Sequence, residues 1–470
     1  MPDLPTLLAV SSQLTPARSQ MAFTLGFHII LASIGVAFPA LMLIANYRGL
    51  RHRDPVALEL AQRWSKVAAV LFAVGAVTGT VLSFEFGLLW PEFTGRFGEV
   101  FGTAFAIEGI FFFTEAIFIA IYIYGWKRLS GWAHFWTGVP VVIAGLGGAF
   151  SVVTVNSWMN QPDGFKIAAN GQVTDVAPLD AIFNHATAYE VPHMILAAYL
   201  VTGFLVASVY AVGMLRGRRD RHHRLGLLIP LTVAAIVTPI QFAVGDTAAR
   251  AIATDQPVKF AAMECVQHTH RDVTEYLGGR CTSDGVKGGI GIPGFDSFLV
   301  GFSTNTKVTG LDSVPPNDRP PANTMLHLAF DAMVGICTLL IALGLWLGWS
   351  WWRKRDIPST PWFLRATAVS GVAAVVALEA GWIVTEVGRQ PWVVYEVMRT
   401  KDAVTGASGV WFTFSAALVL YTALAIATAL ILRTMAHRWR TAEVGEVEVP
   451  YGPSEPVPPR YHASSREVAE

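Results

Sequence analysis

The run AIEGIFFFTEAIFIAIYIYG, residues 106–125, decides the class of this chain. Twenty residues at about 1.5 Å each reach about 30 Å, the thickness of a bilayer's hydrocarbon core. Its only charged side chains are Glu108 and Glu115. Seven residues make two helical turns, so both carboxylates lie on one face, stacked along the membrane normal. A charge at the centre of a span costs roughly 2.5–3.5 kcal/mol on insertion scales, so two on one face need a chemical reason.

Working outward, the span containing this run covers about 100–125, and eight more apolar stretches fall at about 20–46, 64–90, 132–156, 187–215, 225–245, 322–350, 362–387 and 410–434. Composition agrees: 53% of residues are hydrophobic, 14% are charged, and the mean hydropathy is +0.45. Soluble domains carry about 25% charged residues, so this chain reads as an all-α polytopic membrane protein of about nine helices. Basic and acidic residues cancel at 34 each, which gives no argument for a nucleic-acid partner or an acidic substrate. The first apolar run starts late, lacks a basic lead and is long enough to span, unlike a cleaved signal.

Loops after the first, third, fifth and seventh spans are basic, with clusters such as Arg216, Arg218, Arg219, Arg221 and Arg224, while the opposite loops hold few basic residues. The positive-inside rule puts the basic loops in the cytoplasm, the N-terminus outside and the C-terminus inside. Residues 1–440 then form one membrane domain, including a long outer loop at 246–321, and residues 441–470 form a Pro-rich, disordered cytoplasmic tail. Cys265 and Cys281 share the loop, so they can pair if it faces an oxidising compartment; Cys337 lies in an apolar run as a small core residue. No CxxC or zinc-type spacing occurs, and neither an internal repeat nor an inverted pair of broken helices is visible.

Depth along each span sorts the polar residues. His28 and Glu108 fall about 12 Å in from the outer side, His193 and Met333 lie in the outer half, and Glu386 sits near the outer boundary. Glu115 and Glu379 lie about 10 Å deeper than Glu108 and Glu386. Singly, His28 reads as a helix–helix contact, Met333 as core filler, and Glu386 as a side chain snorkelling to water, as does Glu85. Five ligand-type residues from five helices on one side are not scattered by chance. Imidazole and thioether are the usual axial pair of a low-spin haem, and stacked buried carboxylates suit proton transfer. The residues alone point to haem or another metal on the outer side, with carboxylates for protons.

Six motifs in order are more specific: GFHII (26–30), FEFGLLWPEF (84–93), AIEGIFFFTEAIF (106–118), VNSWMNQPDG (155–164), GD followed by QPVKFAAME (245–264), and EAGWIVTEVGRQPW (379–392). Together the chain resembles the large subunit of cytochrome bd-type quinol oxidases from its first to its eighth span. The resemblance implies that His193 and Met333 hold a low-spin haem b. It also implies that His28, Glu108 and Glu386 serve a high-spin pair: a haem b, with haem d or a third haem b. Glu115 matches an inner proton-path glutamate, with Glu379 as a second buried proton carrier; Trp382 resembles a tryptophan packed between haems, and Arg389 suits haem propionates. Lys259 and Glu264 match loop residues of quinol oxidation.

The implied activity is quinol oxidation at the outer face, with dioxygen reduced to water by cytoplasmic protons, so that opposite-sided chemistry builds a proton-motive force. Implied partners are a second hydrophobic subunit, a small single-span subunit, quinol, dioxygen and the lipid of a bacterial plasma (inner) membrane. The chain departs from the better-known branch in three features. The Glu108–Glu115 spacing is seven rather than eight, Asp331 stands where a basic residue is expected, and the loop after Glu264 is short. These point to the short-loop, cyanide-insensitive-like branch, in which b-type haem can replace the chlorin. The rivals are a carboxylate-lined transporter and a haem protein that passes quinol electrons without reducing oxygen.

Overall fold

A computed structural model describes residues 4–321, 323–358 and 360–441. The tail expected after about 441 lies outside the described residues. In chain order the helices are α1 (Leu4–His52), α2 (Pro55–Leu89), α3 (Pro91–Gly125) and α4 (Gly131–Asn160), then a short hairpin of β1 (Lys166–Ile167) and β2 (Val173–Thr174). Next come α5 (Pro178–Ile182), α6 (Thr187–Leu215), α7 (Arg221–Asp255) and α8 (Pro257–Met263). The loop carries β3 (Glu275–Leu277), β4 (Arg280–Thr282), β5 (Gly285–Lys287), β6 (Ile290–Ile292) and α9 (Phe295–Gly301). Helices α10 (Asn323–Lys354) and α11 (Pro361–Gly388), strands β7 (Trp392–Val394) and β8 (Met398–Arg399), α12 (Thr400–Ala403) and α13 (Val410–Thr441) complete it.

Among the described residues nine helices are long and apolar enough to cross a membrane, matching the expected runs in number and order. Their ends follow local chemistry. Asp54 caps α2 by accepting from Ala57 N at 3.3 Å, Asp220 caps α7 through His223 N at 3.0 Å, and Thr360 caps α11 through Phe363 N. Proline opens α2, α3 and α11, where its missing N–H costs nothing.

Helix α6 is the hub. Phe204 and Ala207 pack with Ile29 of α1, Leu231 of α7, Leu340 of α10 and Leu364 of α11 in one buried cluster. A second joins Leu41 of α1, Trp64 of α2, Tyr122 of α3 and Val141 of α4. Small residues permit this closeness: a methyl on Gly203 would stand 2.8 Å from the Pro230 carbonyl oxygen of α7, and one on Gly371 2.8 Å from Leu205 Cα of α6. The outward faces remain apolar, with Ile110, Phe113, Val209, Leu339, Val372 and Val419 all exposed, as lipid or another apolar chain requires.

The loop is an ordered cap. Helix α7 runs on to Asp255, so the loop proper starts at Gln256 rather than 246. Two antiparallel pairs, β3 with β6 and β4 with β5, give it a frame, and Cys265 is joined to Cys281 with Cα atoms 5.6 Å apart. Phe260, Met263 and Leu311 pack on Leu326 of α10 and Val384 of α11, which seats the loop on the bundle.

Candidate functional site

Where the loop meets the bundle, the ends of α4, α6, α8 and α11 share a polar network. Glu190, in the first turn of α6, accepts from Ser157 Oγ at 3.0 Å and Asn160 Nδ2 at 3.1 Å. Lys259, 1% exposed, donates to Asn160 Oδ1 at 3.3 Å, and Gln256 Nε2 donates to the Asn160 carbonyl at 2.6 Å. Glu386 accepts from Asn156 Nδ2 at 2.9 Å and from Arg389 at 2.8 Å. Burial pulls the Lys259 ammonium down to about 8, against the opposing pull of Glu190. Helix α11 approaches it closely because Gly388 lacks a side chain: a Cβ there would lie 2.9 Å from Lys259 Cγ. Lys259, Arg389, Gln390 and Tyr395 line a cavity of about 260 Å³.

One group in this network has unused capacity. Arg389 is 1% exposed, yet its Nε and Nη1 meet no hydrogen-bond partner among the described residues. Buried guanidinium donors are rarely left unpaired, and a carboxylate-bearing cofactor is the natural acceptor.

Toward the middle of the bundle the polar contacts thin out. His28 Nδ1 lies 2.8 Å from Thr78 Oγ1 of α2, and the His193 ring lies 3.2–3.3 Å from Gln241 Nε2 of α7. Each axial candidate is faced by a glycine of a neighbouring helix. A Cβ would come within 3.1 Å of His28 Cε1 from Gly79, 3.3 Å of His193 Cε1 from Gly245, and 2.9 Å of Met333 Sδ from Gly381. His28, His193 and Met333 are all half-buried, as are Glu108, Glu115 and Trp382. Glu379 points at Gly26 of α1, where a Cβ would meet its Oε2 at 3.2 Å; its Oε1 is buried without a partner among the described residues. Glu379 also lines a cleft of about 1050 Å³ formed by α10, α11 and the loop, together with Cys281, Thr324, Leu328 and Ile383. Imidazole, thioether and carboxylate donors with side-chain-free faces opposite, plus a buried guanidinium with two unpartnered nitrogens, fit haem.

In the loop, Glu264 caps the end of α8 and is 5% exposed. Burial pushes its carboxyl well above the usual range, reinforced by Glu275, Asp296 and Asp331. Glu275 on β3 is raised to about 7 by burial and then by Asp331, and Asp296 on α9 to about 8 by burial and then by Glu275. His327 of α10 anchors the region, its Nδ1 lying 2.8 Å from the Met263 carbonyl.

Sequence reasoning missed Glu190, although a charge three residues before His193 in the same span was the signal. Glu275 and Asp296 had no signal, being ordinary acids in a polar loop. Glu85 was expected to reach water. Instead it is 5% exposed and accepts from Gln20 Nε2 at 2.8 Å and Thr24 Oγ1 at 2.5 Å, because α1 packs along α2 and brings both side chains to it.

Comparison with known proteins identifies the family. The profile of the family described as "Cytochrome bd terminal oxidase subunit I" matches residues 16–439. The chain is 36% identical over 408 residues to a putative cytochrome bd menaquinol oxidase subunit I of Bacillus subtilis (strain 168), spanning 85% of this chain and 91% of that protein. A cytochrome bd ubiquinol oxidase subunit 1 of the same organism is 30% identical over 413 residues, with 84% and 86% covered. The solved bd oxidase of Geobacillus thermodenitrificans superposes with a TM-score of 0.84 at 34% identity, covering 91% of this chain and 98% of that one. The chain belongs to the cytochrome bd terminal oxidase subunit I family.

Proposed function

We propose that this chain is the haem-bearing subunit of a bacterial plasma-membrane quinol oxidase, with quinol oxidised at the loop-covered end and proton uptake from the opposite side. Neither the transporter nor the electron-transfer protein without oxygen reduction is favoured by the relatives. The observation that carries the reading is Arg389, a buried guanidinium with two unpartnered donors beside Glu386 and Lys259. In this reading the loop end faces outward, the N-terminus is outside and the C-terminus cytoplasmic, as the basic loops require. Residues 1–440 act as one membrane domain, with 441–470 as a cytoplasmic tail.

Haem, when bound, supplies one-electron transfer and the iron at which dioxygen is reduced. His193 and Met333 would hold the low-spin haem b. His28, Glu108 and Glu386 would serve the high-spin haem b and the third haem, d or b. Asn156 and Arg389 fix the Glu386 carboxylate, and the free Arg389 donors would take propionate oxygens. Trp382 packs beside the α6–α11 core, where its ring can lie against a macrocycle. Lys259 steadies a developing quinolate, and Glu264 receives a quinol proton for release outside. Glu115 and Glu379 hold protons on their way up from the cytoplasmic side. A second hydrophobic subunit and a small single-span subunit cover part of the apolar outer faces, and lipid covers the rest.

The test is a pair of optical spectra of the purified complex, reduced-minus-oxidised and CO-difference. A low-spin b signal together with CO binding by the reduced protein is expected, and a chlorin band would make the third haem d. Haem without CO binding would leave only electron transfer; no haem at all would revive the transporter.

A further inference from the structure

The loop contains a carboxylate cluster that quinol oxidation does not use in full. Glu264 at the end of α8, Glu275 on β3 and Asp296 in the first turn of α9 each bring a carboxylate oxygen within 4.8 Å of the others. All three are buried, at 5%, 6% and 0% exposure. Among the described residues no lysine or arginine forms an ion pair with any of them. The fully enclosed Asp296 is independently telling: neither of its oxygens has a hydrogen-bond partner among the described residues, and Glu264 Oε2 and Glu275 Oε2 have none either. Glu264 and Glu275 meet carboxylate to carboxylate, and among the described residues no donor outside the cluster satisfies the remaining oxygens or either oxygen of Asp296.

We propose that Glu264, Glu275 and Asp296 bind a divalent cation of the Ca²⁺ type, which ties three segments of the loop together. Hard oxygen donors without sulfur or imidazole select Ca²⁺ or Mg²⁺ over softer metals. Oxygens sharing one Ca²⁺ at about 2.3–2.6 Å sit no more than about 4.6–5.2 Å apart, and this cluster satisfies that bound. Mg²⁺, with ligands at about 2.0–2.1 Å in a strict octahedron, is served less well by three carboxylates from separate segments. The segments are already aligned. Cys265, next to Glu264, is bonded to Cys281, Val273 N donates to Ser297 Oγ at 2.9 Å, and β3 pairs with β6 just before α9. The ion completes this frame by neutralising Glu275 and Asp296 and holding Glu264 through one oxygen, which leaves its other oxygen for the quinol proton and keeps it in place relative to Lys259 on the preceding turn of α8.

The purified oxidase complex, treated with chelator and then exchanged into chelator-free buffer, is titrated with Ca²⁺ alone and with Mg²⁺ alone. Metal content is read by elemental analysis and melting by intrinsic fluorescence. One Ca²⁺ per chain is expected, with a melting temperature that rises on adding Ca²⁺ and saturates at or below the roughly 10⁻⁴–10⁻³ M range of extracellular Ca²⁺ modules. Asp296→Asn and Glu275→Gln should each weaken Ca²⁺ at least tenfold with the haem spectrum intact, so one suffices should the other fail to fold. No bound metal and no Ca²⁺-dependent shift in the wild type would overturn the proposal and leave shared protons as the neutralising charge. A wild-type-sized shift in both variants would overturn it too. Haem content and CO binding are read separately, so failure here is distinct from failure of the oxidase reading.

Discussion

The loop end and the middle of the bundle treat polar side chains in opposite ways. At the loop end Glu190, Asn160, Lys259, Glu386 and Arg389 are knitted together, and most of their polar atoms have a protein partner. One turn further along α6, His193 keeps Gln241 as its polar neighbour; two turns back along α11, Glu379 has a buried oxygen with none. A glycine of a neighbouring helix faces each of His28, His193 and Met333, with Thr78 and Gln241 as the polar neighbours of the two imidazoles. A largely paired network fixes geometry and leaves only Arg389 Nε and Nη1 open, whereas ligand atoms with few protein partners are available to a metal-bearing cofactor. The same helices therefore carry a rigid layer, whose Glu386 and Arg389 also serve the haems in the proposed reading, and a ligand layer a turn or two away.

The most direct way to break this contrast is Met333→Leu. It should abolish the low-spin haem signature and, with it, quinol oxidation, by more than the roughly 10–100-fold that loss of a supporting group costs a metal site. An unchanged low-spin spectrum would mean that Met333 is only packing. Glu115→Gln should slow oxygen consumption by roughly 100-fold with haem content unchanged, as loss of a proton-transfer group does. Loss of haem instead would move Glu115 into the ligand layer.

Arg389→Ala probes the rigid layer. It removes a charged hydrogen bond to Glu386, for a cost of about 1.5–3 kcal/mol, read as a lower melting temperature and weaker haem retention. A variant as stable as wild type would show that the network is not what holds this end together. The smallest effect is expected from Lys259→Arg. In the wild type the Lys259 ammonium is present below about pH 8 and is lost as pH rises through that value, so quinol oxidation at low quinol should fall on the alkaline side. A guanidinium keeps its charge, so the variant should lose this alkaline limb, a few-fold change in a KM-against-pH profile. The same limb in the variant would assign it to another group.

Much of this was legible early because the bilayer simplifies the code. A span needs about twenty apolar residues, so the nine runs match nine membrane-length helices among the described residues, and His28, Glu108, Glu115, His193, Met333, Glu379 and Glu386 stood out as polar exceptions within them. The resemblance supplied roles that spacing could not. Outside the apolar runs the signal failed. Helix α7 continues through the ARAIATD stretch, too charged to count as apolar span, to Asp255 because it packs on its neighbours, and hydrophobic length does not record that. Glu85 looked solvated until α1 was seen to bring Gln20 and Thr24 to it.

Residue type and local spacing, through hydrophobic length and helical period, determined by themselves that the chain spans a membrane and which side chains share a helix face. Only the tertiary structure decided which faces meet. It set Glu190 against Asn160, left Arg389 with two free donors, opposed a glycine to each axial candidate and gathered Glu264, Glu275 and Asp296 from three loop segments. The physical reason is that these are contacts between residues far apart in the chain. They arise from close packing of small residues and from the need to satisfy buried polar groups, and neither leaves a periodic trace in the sequence.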